Sequence, residues 1–477
     1  MSPIRLLLLA GLLAGLGARV RAEESNAWPG RVAQQDDAGQ VTSWEGLGPL
    51  LFGRSTADGG HRGGFRPFYM EQVDASGRTT LATVLYPIFI YRADSERYQW
   101  SLVQLINRAG RQPGAPARAD LATENFDWWI FWFSRQTGSP ETSYRALFPL
   151  GGTIKDRFSM QEVNWVLWPL YVHSWQRGAE TTSTPWPFIR ATRGTEQGLA
   201  LWPIYGWRER PGEFRREFYL WPLGWNQTIQ PGEDAPPGTA PTQRVGFIPF
   251  YTGETGPRGR DETYLWPFFG YTDRTAPVPY HETRYLWPFL VQGHGPQRTV
   301  NRWAPFYTHS VSKGVDKTWV MWPFVRQAKW NEGAVAQTRT QFLYLLYYSD
   351  EQRSLTNPAA ATAERTHVWP LFSLWDNGAG RRQLQLLSPL EVFFPNNDQV
   401  RDVWTPLFAV YRYDQRGAQE KRWSLLWGML SWREQAERRE FHLGPLLRAE
   451  RSPDTGWRVF WFDFGHRSRK LPPPASR

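Results

Sequence analysis

The chain has 477 residues, a formal net charge of +10, 28 tryptophans, 28 phenylalanines and no cysteine. Without cysteine, disulfide staples, thiol-linked lipid and thiolate metal sites are excluded, so stability has to come from packing and backbone pairing. The basic balance favours anionic partners such as lipopolysaccharide or anionic lipid, and the aromatic content separates the chain from disordered polymers.

The first element is a signal peptide over residues 1–22. Arg5 gives a positive start, residues 6–16 are Leu-rich and apolar, and Val20 and Ala22 are small residues at the cleavage-defining positions, which makes Glu23 the mature start. The apolar run is shorter than the roughly 18 residues of a membrane-spanning helix, and no later segment reaches that length. Removing Arg5, Arg19 and Arg21 lowers the net charge from +10 to +7. Export makes nucleic acid the least suited anionic partner.

Residues 23–44 form a polar, Gly-rich lead. From 45 to 464 one signature returns: Leu201-Trp202-Pro203-Ile204, Leu220-Trp221-Pro222-Leu223, Leu265-Trp266-Pro267-Phe268, Leu286-Trp287-Pro288-Phe289, Met321-Trp322-Pro323-Phe324 and Val368-Trp369-Pro370-Leu371. With related apolar clusters, from near Pro49 to near Phe460, it recurs at intervals of roughly 20 residues, which marks a repeat architecture. Each cluster, bounded by Gly, Asp, Asn, Ser or Arg, reads as one strand, and a Pro at its centre excludes a helix. The expectation is an all-β, antiparallel up-and-down meander of about 22 strands, closed as a barrel. Pro at the middle of each strand would bend the sheet along a line.

Connectors such as Ser312-Lys313-Gly314-Val315-Asp316 and Asp414-Gln415-Arg416-Gly417 read as hairpin turns. Three longer ones, 107–123, 226–244 and 349–364, read as surface loops. Strand alternation assigns Tyr285, Trp287, Phe289 and Val291 to one apolar face, and Arg284, Leu286, Pro288, Leu290 and Gln292 to the other. Charged groups, among them Arg208-Glu209-Arg210 and Arg215-Arg216-Glu217, fall at strand ends and suit lipid headgroups or hairpin solubility. Residues 465–477 are a basic, Pro-rich tail.

Trp457, Val459 and Trp461 alternate with Phe460, Phe462 and Phe464. This segment resembles the aromatic final strand that bacterial outer-membrane barrels present to their assembly machinery, although those barrels commonly end at the aromatic residue. The repeat as a whole resembles the Trp-Pro-Phe/Leu arrays of uncharacterised exported bacterial proteins. That resemblance covers most of the chain and implies no particular activity.

Chemistry-bearing motifs are absent. The histidines, His61, His173, His281, His294, His309, His367, His442 and His466, are scattered without ligand-type spacing. The acidic groups Asp261-Glu262 and Glu124 with Asp127 read as solvated turns, and Gly59-Gly60-His61-Arg62-Gly63-Gly64 reads as loop, lacking the helix a phosphate loop needs. No catalytic, cofactor-binding or metal-ligating residue is assigned, no cofactor is expected, and the ligand-binding residues are left unassigned. Two functional expectations follow. One is a non-enzymatic outer-membrane protein that is structural or transports a hydrophobic or amphipathic solute. The other is a periplasmic or secreted scaffold that binds glycan or lipid.

Overall fold

The computed structural model describes residues 24–36, 40–116, 123–395, 397–453 and 456–463. The expected signal peptide, the residue Glu23 and the basic tail lie outside the described residues. Every Trp-Pro tetrapeptide named above turns the chain between two strands. Gln197–Leu201 ends beside Trp202 and Tyr205–Arg210 follows Ile204; Phe214–Tyr219 and Gly224–Ile229 flank 220–223 in the same way. The six Trp–Pro bonds of the signature are cis.

The reason is local. Proline has no N–H to give to a ladder, so a chain with Pro every roughly 20 residues places it where no ladder bond is required. Its carbonyl is still an acceptor. Trp221 N–H donates to Pro203 O at 2.7 Å, Trp186 N–H to Pro169 O at 2.7 Å and Trp322 N–H to Pro305 O at 2.7 Å, so neighbouring turns are bonded to one another.

Three expectations are corrected. Most apolar clusters are the apex of a hairpin of two short strands, so among the described residues the meander has 43 strands and not about 22. The cluster at Pro406, expected as a strand because its proline excludes a helix, is instead the short helix Thr405–Phe408, with the proline in its first turn, where no N–H is needed. The alternation read through Tyr285 to Val291 therefore crosses a turn: Tyr280–Leu286 stops and Leu290–His294 begins. The sheet is also not closed into a barrel. The first described strand, Glu24–Ala27, pairs with Arg31–Gln35 and the last, Gly456–Trp461, with Leu447–Ser452, and among the described residues no ladder joins first to last. The bending assigned to proline does not arise, because the prolines are not inside strands.

The chain divides into two units. The second, residues 93–358, carries an uninterrupted antiparallel succession from Arg97–Leu102 to Tyr347–Ser354. It has a buried cluster of Phe133, Tyr144, Ala146, Ile154 and Trp165. The first unit combines two ribbons, one from Glu24–Ala27 to Phe89–Ala93 and one from Ala363–Val368 to Gly456–Trp461. Between Arg381–Leu386 and Tyr411–Arg416 the chain inserts two short helices, Asp398–Val403 and Thr405–Phe408.

That insertion fastens the ribbons of the first unit together. Val403 enters the cluster of Phe52, Met70 and Leu81. Trp404 Nε1–H donates to Tyr86 O at 2.9 Å, and Asn397 Nδ2–H to Tyr86 Oη at 2.8 Å. Asp402 pairs with Arg54 at 3.2 Å and with Arg62. The Gly-rich run at 59–64 is only partly loop, for His61–Phe65 is a strand. A Cβ on Gly64 would collide with Tyr69 O, so the residue lets two strands approach.

Candidate functional site

In a meander, successive turns alternate between the two edges of the sheet. In the second unit this sorts them by chemistry. One edge collects 185–188, 202–204, 220–223, 248–250, 265–268, 287–289, 304–306 and 321–324, rich in Trp, Pro, Phe and Leu. The other collects 194–197, 210–214, 256–259, 312–315 and 332–335, rich in Gly, Arg, Glu, Ser and Lys. The loops that begin at Gln112 and Gln230 open from the polar edge as well.

The apolar edge is not covered. Leu220 is 59% exposed, Trp221 53% and Phe306 65%. An aromatic side chain carries roughly 150–250 Å², so a dozen half-exposed ones present about 1,000 Å², beyond the roughly 300–600 Å² of a typical monomer's largest apolar patch. The rings run along the edge: Phe148 to Trp168 at 5.1 Å, Trp168 to Trp186 at 5.3 Å, then Phe188 to Trp202 and Trp202 to Trp221, both at 5.7 Å. Polar character begins within the strands. In Phe214–Tyr219, Phe218 and Tyr219 adjoin the turn while Arg215, Arg216 and Glu217 lead away from it.

Beside this edge, Trp207, Phe218, Trp221 and Trp225 line a groove of about 290 Å³ together with Arg190 and Arg208. Burial, and then the neighbouring Arg208 charge, lowers the Arg190 pKa. An aromatic wall beside guanidinium groups suits the junction between an apolar chain and an anionic head.

The first unit has a different cavity, about 240 Å³, between its two ribbons. Seven arginines line it against three carboxylates, Glu45, Asp414 and Glu420. Arg412 holds Asp414 at 2.8 and 3.2 Å, and Arg422 holds Glu24 at 2.7 and 3.3 Å. Burial alone would raise the Glu24 pKa. The Arg422 charge and hydrogen bond, with His442 and the Ser431 hydroxyl, overcome it and hold the group at about 2. Burial lowers the His442 pKa.

The acidic residues singled out in the sequence are occupied elsewhere. Glu124 pairs with Arg108 at 2.9 Å and Asp127 with Arg157; three positions apart on one strand, they fall on opposite faces. Asp261 meets Arg284 at 2.8 Å. Glu262, expected in a solvated turn, is instead buried within the strand Gly259–Tyr264 and accepts hydrogen bonds from Tyr251 at 3.2 Å, Tyr271 at 3.0 Å and Tyr264. Its carboxylate pushes the Tyr264 hydroxyl up to about 12. The His281 and His294 rings lie 5.3 Å apart with their planes tilted by 49°, and His309 meets Asp316 at 3.0 Å. Among the described residues no group of three or more His, Asp or Glu could hold a metal ion. His466 lies outside them.

Sequence reading missed the cavity because its walls come from residues near 45 and near 415. The doublet Arg381-Arg382 and the run Arg412 to Arg422 were its only local trace. The search against protein-family models gives no match, and neither does the search of curated proteins.

Proposed function

We propose that this is an exported, non-enzymatic protein of the bacterial outer envelope that attaches to an anionic lipid or lipopolysaccharide surface along its Trp-Pro turns. The observation that carries this reading is the sorting of turns, apolar on one edge and polar on the other, with the apolar edge uncovered.

Depth decides between lying on a membrane and crossing it. A strand of six residues covers about 20 Å, and only the turn and the adjoining strand end are apolar. That matches the roughly 5–10 Å by which interfacial elements enter a bilayer, and falls short of the roughly 25 Å band of a membrane-spanning barrel. Arg190, Arg208 and Arg216 beside the groove stand where lipid phosphates would meet an embedded edge. The groove itself offers room to one chain of a hydrophobic or amphipathic solute, which extends the reading from attachment to transport.

Vesicle flotation tests it. The mature chain should float with vesicles of phosphatidylethanolamine and phosphatidylglycerol, and Leu220→Glu combined with Leu265→Glu and Phe306→Glu should abolish flotation with an unchanged circular dichroism spectrum. Flotation that survives the triple change, or wild-type protein that stays below the vesicles, would sink the reading.

A further inference from the structure

The cavity of the first unit has more positive charge than its own carboxylates neutralise. Each lining carboxylate is already committed: Glu45 to Arg66 at 3.1 Å, Asp414 to Arg412 at 2.8 Å and Glu420 to Arg433 at 3.1 Å. Arg54 is held by Asp402 and Arg422 by Glu24. Among the described residues Arg382 pairs only with Asp376, at 3.6 Å. Arg381 and Arg416 line the same space and have no ion-pair partner among the described residues. They also stand directly opposite one another across the strands Arg381–Leu386 and Tyr411–Arg416. Like charges in that relation are destabilising unless an anion lies between them.

Arg66 supplies an independent observation. Its side chain is 1% exposed, yet it faces the cavity. Nε–H donates to Asp402 O at 2.6 Å, and Nη1–H donates to Pro49 O at 2.7 Å and to Glu45. Nη2 is buried and has no partner. The guanidinium lies 3.9 Å over the Phe52 ring, which fixes its plane. An unsatisfied donor on a buried cation is unfavourable, and at a site rich in positive charge a bound anion is one account of it.

We propose that this cavity is a binding site for a phosphorylated ligand, held by the Arg381 and Arg416 guanidinium groups in the space that Arg66 also lines. Phosphate is favoured over a single carboxylate because guanidinium groups from two ribbons line the one cavity, and planar forks of this kind match the several oxygens of a phosphoryl group. About 240 Å³ admits a diphosphate or a phosphorylated headgroup and not a whole lipid. The site is independent of the apolar edge, which lies on turns this cavity does not use.

Calorimetric titration of the full mature chain tests it with two probes, inorganic pyrophosphate and glycerol 3-phosphate, the latter standing for a lipid headgroup without its chains. Wild-type protein should bind at least one of them, and Arg381→Gln with Arg416→Gln should weaken that binding tenfold or more. Tighter binding of pyrophosphate assigns the site to a free oligophosphate; tighter binding of glycerol 3-phosphate assigns it to a headgroup. Because Arg66 also holds the fold, Arg66→Lys is a second variant, whose circular dichroism must match wild type before its affinity is compared. Absence of binding by wild type to both probes, or affinity unchanged in the Arg381/Arg416 double variant, overturns the proposal. Neither outcome bears on vesicle flotation, so the two readings fail separately.

Discussion

Trp221 donates its backbone N–H to the carbonyl of Pro203, 2.7 Å away, while its ring lies 5.7 Å from that of Trp202. The backbone bond is what holds successive turns in one row, and it does not depend on the side chain. The ring instead projects outward, more than half exposed. Trp221→Ala should therefore cost only the ring pair and part of its contact area, about 1–2 kcal/mol by urea unfolding. A loss above about 4 kcal/mol, in the range of a fully buried aromatic, would mean that the edge is covered.

The pair of Glu24 and Arg422 predicts an acid transition. The Glu24 pKa is depressed from 4.5 to about 2 in the folded chain, so the stabilisation is fully present above about pH 4.5 and is lost as pH falls toward 2. A shift of this size corresponds to about 3 kcal/mol. Urea midpoints of wild type and Glu24→Gln should differ most at pH 7 and converge by about pH 2. A difference that stays constant through this window would remove the pair as its cause.

How far the fold could be read from the sequence follows from the same residues. The repeat, the antiparallel neighbours and turns such as Lys313-Gly314 were visible, because period and turn chemistry are local properties. The number of strands was not, since Leu220 and Leu223 look like strand residues on either side of Pro222 and are in fact the two shoulders of a turn. The missing donor on each proline was the available signal, for a residue that cannot join a central ladder belongs at its end. Of the candidate sites, the apolar row was legible as composition, but its confinement to one edge required the hairpin count. The arginine cavity was not legible, because Arg66 and Arg416 come to line one space through packing between ribbons that sequence spacing does not encode.

Asn397 makes two distinct bonds, and two substitutions separate them. Its Oδ1 accepts the Val400 N–H at 3.1 Å and caps the helix Asp398–Val403, while Nδ2–H reaches Tyr86 Oη at 2.8 Å in the other ribbon. Asn397→Ala should lose both, about 1–3 kcal/mol together. Tyr86→Phe keeps Asn397 as the cap and removes only the Tyr86 hydroxyl, so it should lose the inter-ribbon part alone. Equal losses in the two variants, measured by thermal unfolding, would show that the helix cap contributes nothing.

Met70 and Leu265 give the sharpest contrast between the core and the edge. Met70 is fully buried against Phe52, Leu81 and Val403, and nothing can fill the space that a truncation leaves without moving the inserted helix. Met70→Ala should cost about 2–5 kcal/mol, and a double-mutant cycle with Val403→Ala should show coupling of about 0.5–3 kcal/mol. Leu265 stands on the apolar edge at 54% exposure, with no buried cluster around it. Leu265→Ala should change stability by less than about 0.5 kcal/mol in aqueous buffer, as exposed positions do. Added to vesicles, the same variant should bind more weakly than wild type, because the lost methyl groups are then groups withdrawn from lipid. A Leu265→Ala protein that is clearly destabilised in buffer and unchanged on vesicles would place this edge inside the protein, and with it the Trp-Pro row.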